Sequence, residues 1–299
     1  MKETQEKSKP FHAGCREVEL TDEHMGVTFP MIVMYPTDAP EKIDKLGPYD
    51  LEVSRNAEPQ EGAFPLVILS HGSGGTPLVY RMLARHLARN GFIVGMPEHP
   101  FNNRNNNSLE GTVENLTHRP RHIRTAIDWF VGRKDFAKAL KPDAVSLIGH
   151  SMGGYTILAA AGGVPTSFPY ESPDGQSHRI PVTPDPRMKS LVLLAPASVW
   201  FQDPGALNAV DLPILMLVGE KDHYTPYFHA QIILNGVPDP KRIQHRIVEN
   251  AGHFSFLSPF PEAMITASFP PSQDPPGFHR QTFHHELNAE ILDFLLRNA

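Results

Sequence analysis

Apolar residues along the 299-residue chain gather in short runs between longer polar stretches, and the shape of each run predicts its element. Arg16–Leu20 and Phe29–Tyr35 read as two strands joined by a turn at Asp22–Gly26, a hairpin at the start of a sheet. Phe64–Ser70 is a near-continuous apolar run, the mark of a strand buried on both faces. Phe92–Met96, Ala144–Ile148, Ser190–Ala195, Pro213–Val218 and Ile243–Val248 read as further strands. Helical spacing lies between them: Leu78, Met82, Leu83 and Leu87 run up to a stop at Gly91, and Ile123, Ile127, Phe130 and Val131 share a face behind Pro120. A small-residue helix runs to Ala161, another spans about Tyr227–Leu234, and Leu287, Ile291, Phe294 and Leu295 form the apolar face of a closing helix. Strands alternating with helices imply right-handed crossovers. The expected fold class is α/β, with a mostly parallel central sheet of about eight strands, helices on both faces and loop insertions capping a site.

The polar stretches set the organisation. Residues 1–13 read as a frayed tail, and Pro36–Gly62 as a surface loop with at most one short turn. Glu98–Asn115 reads as an Asn-rich loop at the carboxyl edge of the sheet. Residues 162–188 and 258–283 are insertions near the prospective site; the first, directly after the small-residue helix that runs to Ala161, is placed to fold over it as a cap. There is no internal repeat and no linker, so residues 1–299 are expected to form a single domain.

Charge narrows the partners. With 27 basic and 33 acidic residues and no basic run, nucleic acid and anionic membrane are disfavoured. Cys15 is the only cysteine, so no intrachain disulfide is possible. Ala13-Gly14-Cys15 has the residues of a lipoprotein cleavage site, but no apolar segment precedes it. No apolar run is long enough to span a membrane, and a cytoplasmic monomer or homodimer is expected.

The chemistry centres on Gly149-His150-Ser151-Met152-Gly153, where a strand ends and a helix begins at once. That is the context of the Gly-x-Ser-x-Gly elbow, which exposes a nucleophilic serine at a strand's carboxyl end. A serine hydroxyl needs a base, and the base an orienting carboxylate. Loops after the last two strands supply Asp222 and His253, in the chain order Ser, Asp, His. Glu220 competes with Asp222 from closer to the strand end, and Asp203 more distantly. Asp222 is preferred because it sits in the loop before a helix starting near Pro226. The oxyanion donors should be the backbone N–H of Met152 and that of Ser73 in His71-Gly72-Ser73-Gly74-Gly75, with Gly72 and Gly74 as neighbouring alternatives. His99, Gly72 and Gly74 are candidate substrate contacts, and Asn102–Asn107 lies near the expected mouth. His118 and His122 have helical metal-ligand spacing, but Pro120 intervenes and no carboxylate follows, so no metal is expected. His284 and His285 are expected to be exposed at the start of the closing helix.

These residues resemble the α/β-hydrolase superfamily, and within it the branch of dienelactone-hydrolase-like proteins and platelet-activating-factor acetylhydrolases. The matching segments are Leu69–Gly75, Leu87–Phe92, Gly149–Gly154, Val218–Asp222 and Ala251–Phe256. The resemblance implies hydrolysis of carboxylic esters through an acyl-enzyme, without metal or organic cofactor. Dienelactone hydrolases carry a cysteine where this chain has Ser151. Bacterial polyester hydrolases are similar around the elbow but have an open groove, whereas the two insertions here favour a more enclosed pocket. The expectation is a serine esterase for a small or medium ester with a short acyl group. Amide or peptide hydrolysis, cutinase-like polyester hydrolysis and an idle ligand-binding scaffold are the alternatives.

Overall fold

Period-two alternation along the central strands sends neighbouring side chains to opposite faces. The computed structural model, which describes residues 10–299, builds two cores from that alternation. Strand β5 (Phe64–Ser70) points Leu66 and Ile68 to one side and Val67 and Leu69 to the other. Strand β8 (Met188–Leu194) does the same with Leu191 and Leu193 against Val192 and Leu194.

Ten strands form the sheet rather than the expected eight or so. With β1 (His12–Asp22), β2 (Val27–Thr37), β3 (Lys42–Leu46), β4 (Tyr49–Arg55), β6 (Ile93–Pro97), β7 (Leu140–His150), β9 (Ile214–Gly219) and β10 (Ile243–Val248), the order is β10-β9-β8-β7-β5-β6-β2-β1-β4-β3. The run from β10 to β6 is parallel, and β2 pairs antiparallel with both β6 and β1. Helices α2 (Val113–Val131), α3 (Met152–Ala160) and α4 (Phe228–Gly236) cover one face. Helices α1 (Arg81–Arg89) and α5 (Arg280–Asn298) cover the other.

The two extra strands lie in the segment expected to be a loop, 36–62. Tyr49, Leu51 and Val53 alternate with exposed Asp50 and Glu52 and pack under α1. Strand β3 carries the reverse signal, with Ile43 78% exposed, and Gly47 at φ 57° turns it into β4. Part of the segment expected to fray belongs to the sheet instead, since β1 begins at His12. Ala13 is buried in β1 and its N–H donates to Glu41 Oε1 at 2.7 Å, while residues 1–9 lie outside the described part. Cys15 is buried in β1, and burial pushes its thiol up to about 11.

Helix α2 begins seven residues before Pro120, not at it. The Thr112 hydroxyl caps it by accepting from the Asn115 N–H at 3.2 Å. An interior proline strips the helical donor from the carbonyl four residues back, here Leu116. Tyr155 Oη–H supplies the missing donor at 2.9 Å, so the helix continues through the proline. Val131, at its end, is exposed. Helix α5 takes over the last residues of the 258–283 insertion, and within it His284 is buried, contrary to expectation, with Nε2 3.2 Å from the Ser255 carbonyl. His285 is exposed. Among the described residues no helix is long and apolar enough to cross a membrane.

Candidate active site

The crossover reverses direction at β5, which sits between β7 and β6, and a crevice opens there at the carboxyl ends of the strands. Ser151 stands on its edge at φ 56° and ψ −121°, a conformation a residue with a side chain holds only when its surroundings impose it. Close packing imposes it. A Cβ on Gly149 would meet the Gly153 carbonyl oxygen at 2.3 Å, and one on Gly153 would meet the Ser70 oxygen at 2.0 Å. The Ser151 N–H donates to the Leu194 carbonyl at 3.0 Å and its carbonyl accepts from Ala197 N–H at 2.9 Å, which ties the elbow to the exit of β8. The hydroxyl sits at the N-terminus of α3, where the helix dipole favours negative charge.

After β9 the chain forms a tight polar turn. Asp222 Oδ1 accepts the N–H groups of Tyr224 and Thr225 at 2.8 and 2.9 Å, and the Thr225 hydroxyl lies 2.8 Å from Oδ2. After β10, His253 places Nδ1 2.8 Å from Asp222 Oδ2 and Nε2 2.9 Å from Ser151 Oγ. A carboxylate only accepts, so Nδ1 carries the proton and the Nε2 lone pair faces the Ser151 hydroxyl. Burial alone would raise the Asp222 carboxyl. Hydrogen bonds from His253 and Thr225 outweigh it and hold the group below the usual carboxylate range. The competing acids lie elsewhere: Glu220 Oε2 accepts from Asn250 N–H at 2.8 Å, and Asp203 Oδ2 from the Thr166 hydroxyl at 2.5 Å.

His150 is a supporting residue that the sequence did not single out. Its Nε2 lies 2.9 Å from the His253 carbonyl and its Nδ1 2.9 Å from the Tyr80 hydroxyl. Because a carbonyl only accepts, Nε2 donates and Nδ1 accepts from Tyr80. Burial pushes this imidazole down to about 3. Thr225 was also missed, although Asp followed three residues later by Thr is a visible turn signal. Tyr224 leans its ring on His253, centroids 5.1 Å apart.

Two recesses of about 420 Å³ each meet at Ser151 and His253. Val79, Phe254, Leu257 and Phe269 make one mainly apolar, while Thr112, Asn115, Glu171 and Trp200 line the more polar other. The 162–188 insertion contributes Tyr170 and Glu171, and the 258–283 insertion Phe269 and Pro271, so both insertions wall the site. Ser73 borders both recesses, Met152 one, and the N–H groups of these two residues meet no acceptor among the described residues. Gly72 packs against the serine, since a Cβ there would come within 3.2 Å of Ser151 Cβ. Gly74 borders the apolar recess.

His99 borders neither recess. It is fully buried behind the site, with Nε2 2.8 Å from Ser70 Oγ and Nδ1 3.1 Å from His122 Nδ1. The small Ser70 side chain leaves room for this imidazole under the strand end. Asn102 is equally internal and donates to Ser73 Oγ at 2.9 Å and Asn107 Oδ1 at 2.7 Å, so the Asn-rich loop braces the glycine loop beside it. His122 Nε2 lies 3.3 Å from Asp22 Oδ2. Among the described residues no three His, Cys, Asp or Glu side chains are grouped to hold a metal ion.

Comparison with known proteins agrees with this architecture. Residues 65–207 match the sequence profile described as α/β hydrolase fold. A comparison with curated protein sequences finds no match. Among solved structures, a ferulic acid esterase from Streptomyces cinnamoneus is similar with a TM-score of 0.67 at 14% identity, covering 98% of this chain and 91% of that one. A second, designated m3DLH, gives a TM-score of 0.63 at 15% identity over 96% and 100% of the two chains. At these identities the likeness concerns the fold, and the chain has the α/β-hydrolase fold.

Proposed function

We propose that this protein is a serine hydrolase that cleaves small or medium carboxylic esters through an acyl-enzyme on Ser151. The observation that carries the reading is the bridge made by His253, 2.9 Å from Ser151 Oγ on one nitrogen and 2.8 Å from Asp222 Oδ2 on the other. In this reading His253 takes the Ser151 proton as Oγ attacks the ester carbonyl, and Asp222 steadies the imidazolium that forms. The N–H groups of Ser73 and Met152 receive the oxyanion. His253 then protonates the leaving alkoxide, and a water activated by the same imidazole releases the acid. Residues 10–299 act as one domain around this site, and the glycine-loop and elbow segments support a place in the dienelactone-hydrolase-like and acetylhydrolase-like branch.

The recess volumes, about 420 Å³ each, suit a compact ester better than a polymer chain. A p-nitrophenyl ester series of increasing acyl length tests this. The reading expects a burst of p-nitrophenol, an acyl group on Ser151 by mass, and a rate maximum at short chains. A maximum at long chains, or amide turnover matching ester turnover, would reverse it.

A further inference from the structure

Arg119, on α2, is fully buried, yet no carboxylate lies within ion-pair distance of it among the described residues. All its acceptors are neutral: Nε donates to Thr156 Oγ1 at 2.8 Å, Nη1 to Asn102 Oδ1 at 2.6 Å, and Nη2 to the His71 carbonyl and to Ser70 Oγ at 3.3 Å. Burial lowers the guanidinium to about 9, which leaves it charged near neutral pH. A buried charge without a counter-ion is expensive, and sites that break the packing rules are where function is expected.

The partners of Arg119 lead to one place. The Thr156 hydroxyl in turn donates to the Met152 carbonyl at 2.8 Å, and Asn102 Nδ2 donates to Ser73 Oγ at 2.9 Å. The His71 carbonyl opens the Gly72–Gly75 loop. A single planar fork thus stands one hydrogen-bonded residue away from both Ser73 and Met152. Resting on the esterase reading above, we propose that Arg119 is the positioning residue of the oxyanion site, fixing the two backbone N–H groups so that they aim at one point. A guanidinium suits this because its donors leave at fixed angles, whereas a lysine ammonium keeps the charge and loses the fork.

The test compares the unaltered protein with Arg119→Lys in ester kinetics and in binding two inhibitors, an alkyl boronic acid and the matched neutral alcohol. The boronic acid becomes a tetrahedral anion on Ser151; the alcohol does not. Misplaced oxyanion donors predict a kcat loss of about 100-fold with KM changed less than about threefold. Boronate affinity should fall by the same factor as kcat while the alcohol binds as before. Thr156→Val cuts only the branch to Met152 and should show the same pattern at about tenfold, which carries the test if the lysine variant does not fold. A folded variant of either kind with undiminished kcat, or with boronate and alcohol weakened equally, overturns the proposal. Absence of ester turnover in the unaltered protein would instead sink the esterase reading, before any variant is made.

Discussion

His150 Nε2 donates to the His253 carbonyl across 2.9 Å, so the residue before Ser151 holds the backbone of His253. The contact joins the ends of β7 and β10, strands separated in the sheet by β8 and β9. It gives the elbow's x position a structural duty as well as a place beside the serine.

His150→Phe keeps an aromatic ring but removes the side-chain donor to the His253 carbonyl and the acceptor that the Tyr80 hydroxyl faces. The expected stability loss is about 1–3 kcal/mol, with kcat reduced more than KM is raised. Urea melts and ester kinetics on the same samples check this. A variant with unchanged kcat would show that the contact does not hold the base.

Asp222→Asn preserves shape and removes the charge that fixes the His253 tautomer. The expected loss in kcat is about 10⁴-fold with near-normal folding. Steady-state ester kinetics measure it, and a loss of only a few-fold would mean that another acid orients the base.

Burial holds His71 and His150 at about 3 and His122 and His284 at about 4. In the unfolded chain each takes up a proton near ~6.5, so between these values the unfolded state binds more protons. Stability is therefore full above the unfolded value and is lost as pH falls below it, by ~1.4 kcal/mol per pH unit for each group. The urea midpoint should be flat from about pH 7 to 8 and fall steeply between about 6 and 5. A flat profile to about pH 5 would contradict neutral burial of these rings.

Tyr155→Phe should cost about 1–3 kcal/mol because it strands the Leu116 carbonyl beneath Pro120. In a Pro120→Ala background the restored N–H supplies a donor, and the same substitution should cost less. A double-mutant cycle by urea unfolding checks the coupling, and equal costs in both backgrounds would refute it.

The parallel strands were legible because burial on both faces leaves unbroken apolar runs, as at Phe64–Ser70. Ser151, Asp222 and His253 could be read because each follows such a run at its carboxyl end. The β3–β4 hairpin was not, since Ile43 faces solvent and Tyr49, Leu51 and Val53 are interrupted by charges in a proline-rich stretch. The start of α2 was hidden because Pro120 looked like a beginning, and only the distant Tyr155 hydroxyl makes an interior proline tolerable there. His99 misled for a related reason. Its loop leaves the right strand end, but the ring turns inward to Ser70, a choice set by space that no local pattern records. Arg119 and His150 act through partners remote in sequence and give no signal of their own.

The most direct measurement is labelling with a fluorophosphonate followed by peptide mass mapping, on the unaltered protein and on Ser151→Ala and His253→Ala. One adduct is expected, on Ser151, abolished by the first substitution and slowed by orders of magnitude in the second. An unlabelled Ser151 in folded protein, or labelling that proceeds equally fast without His253, would contradict the esterase reading.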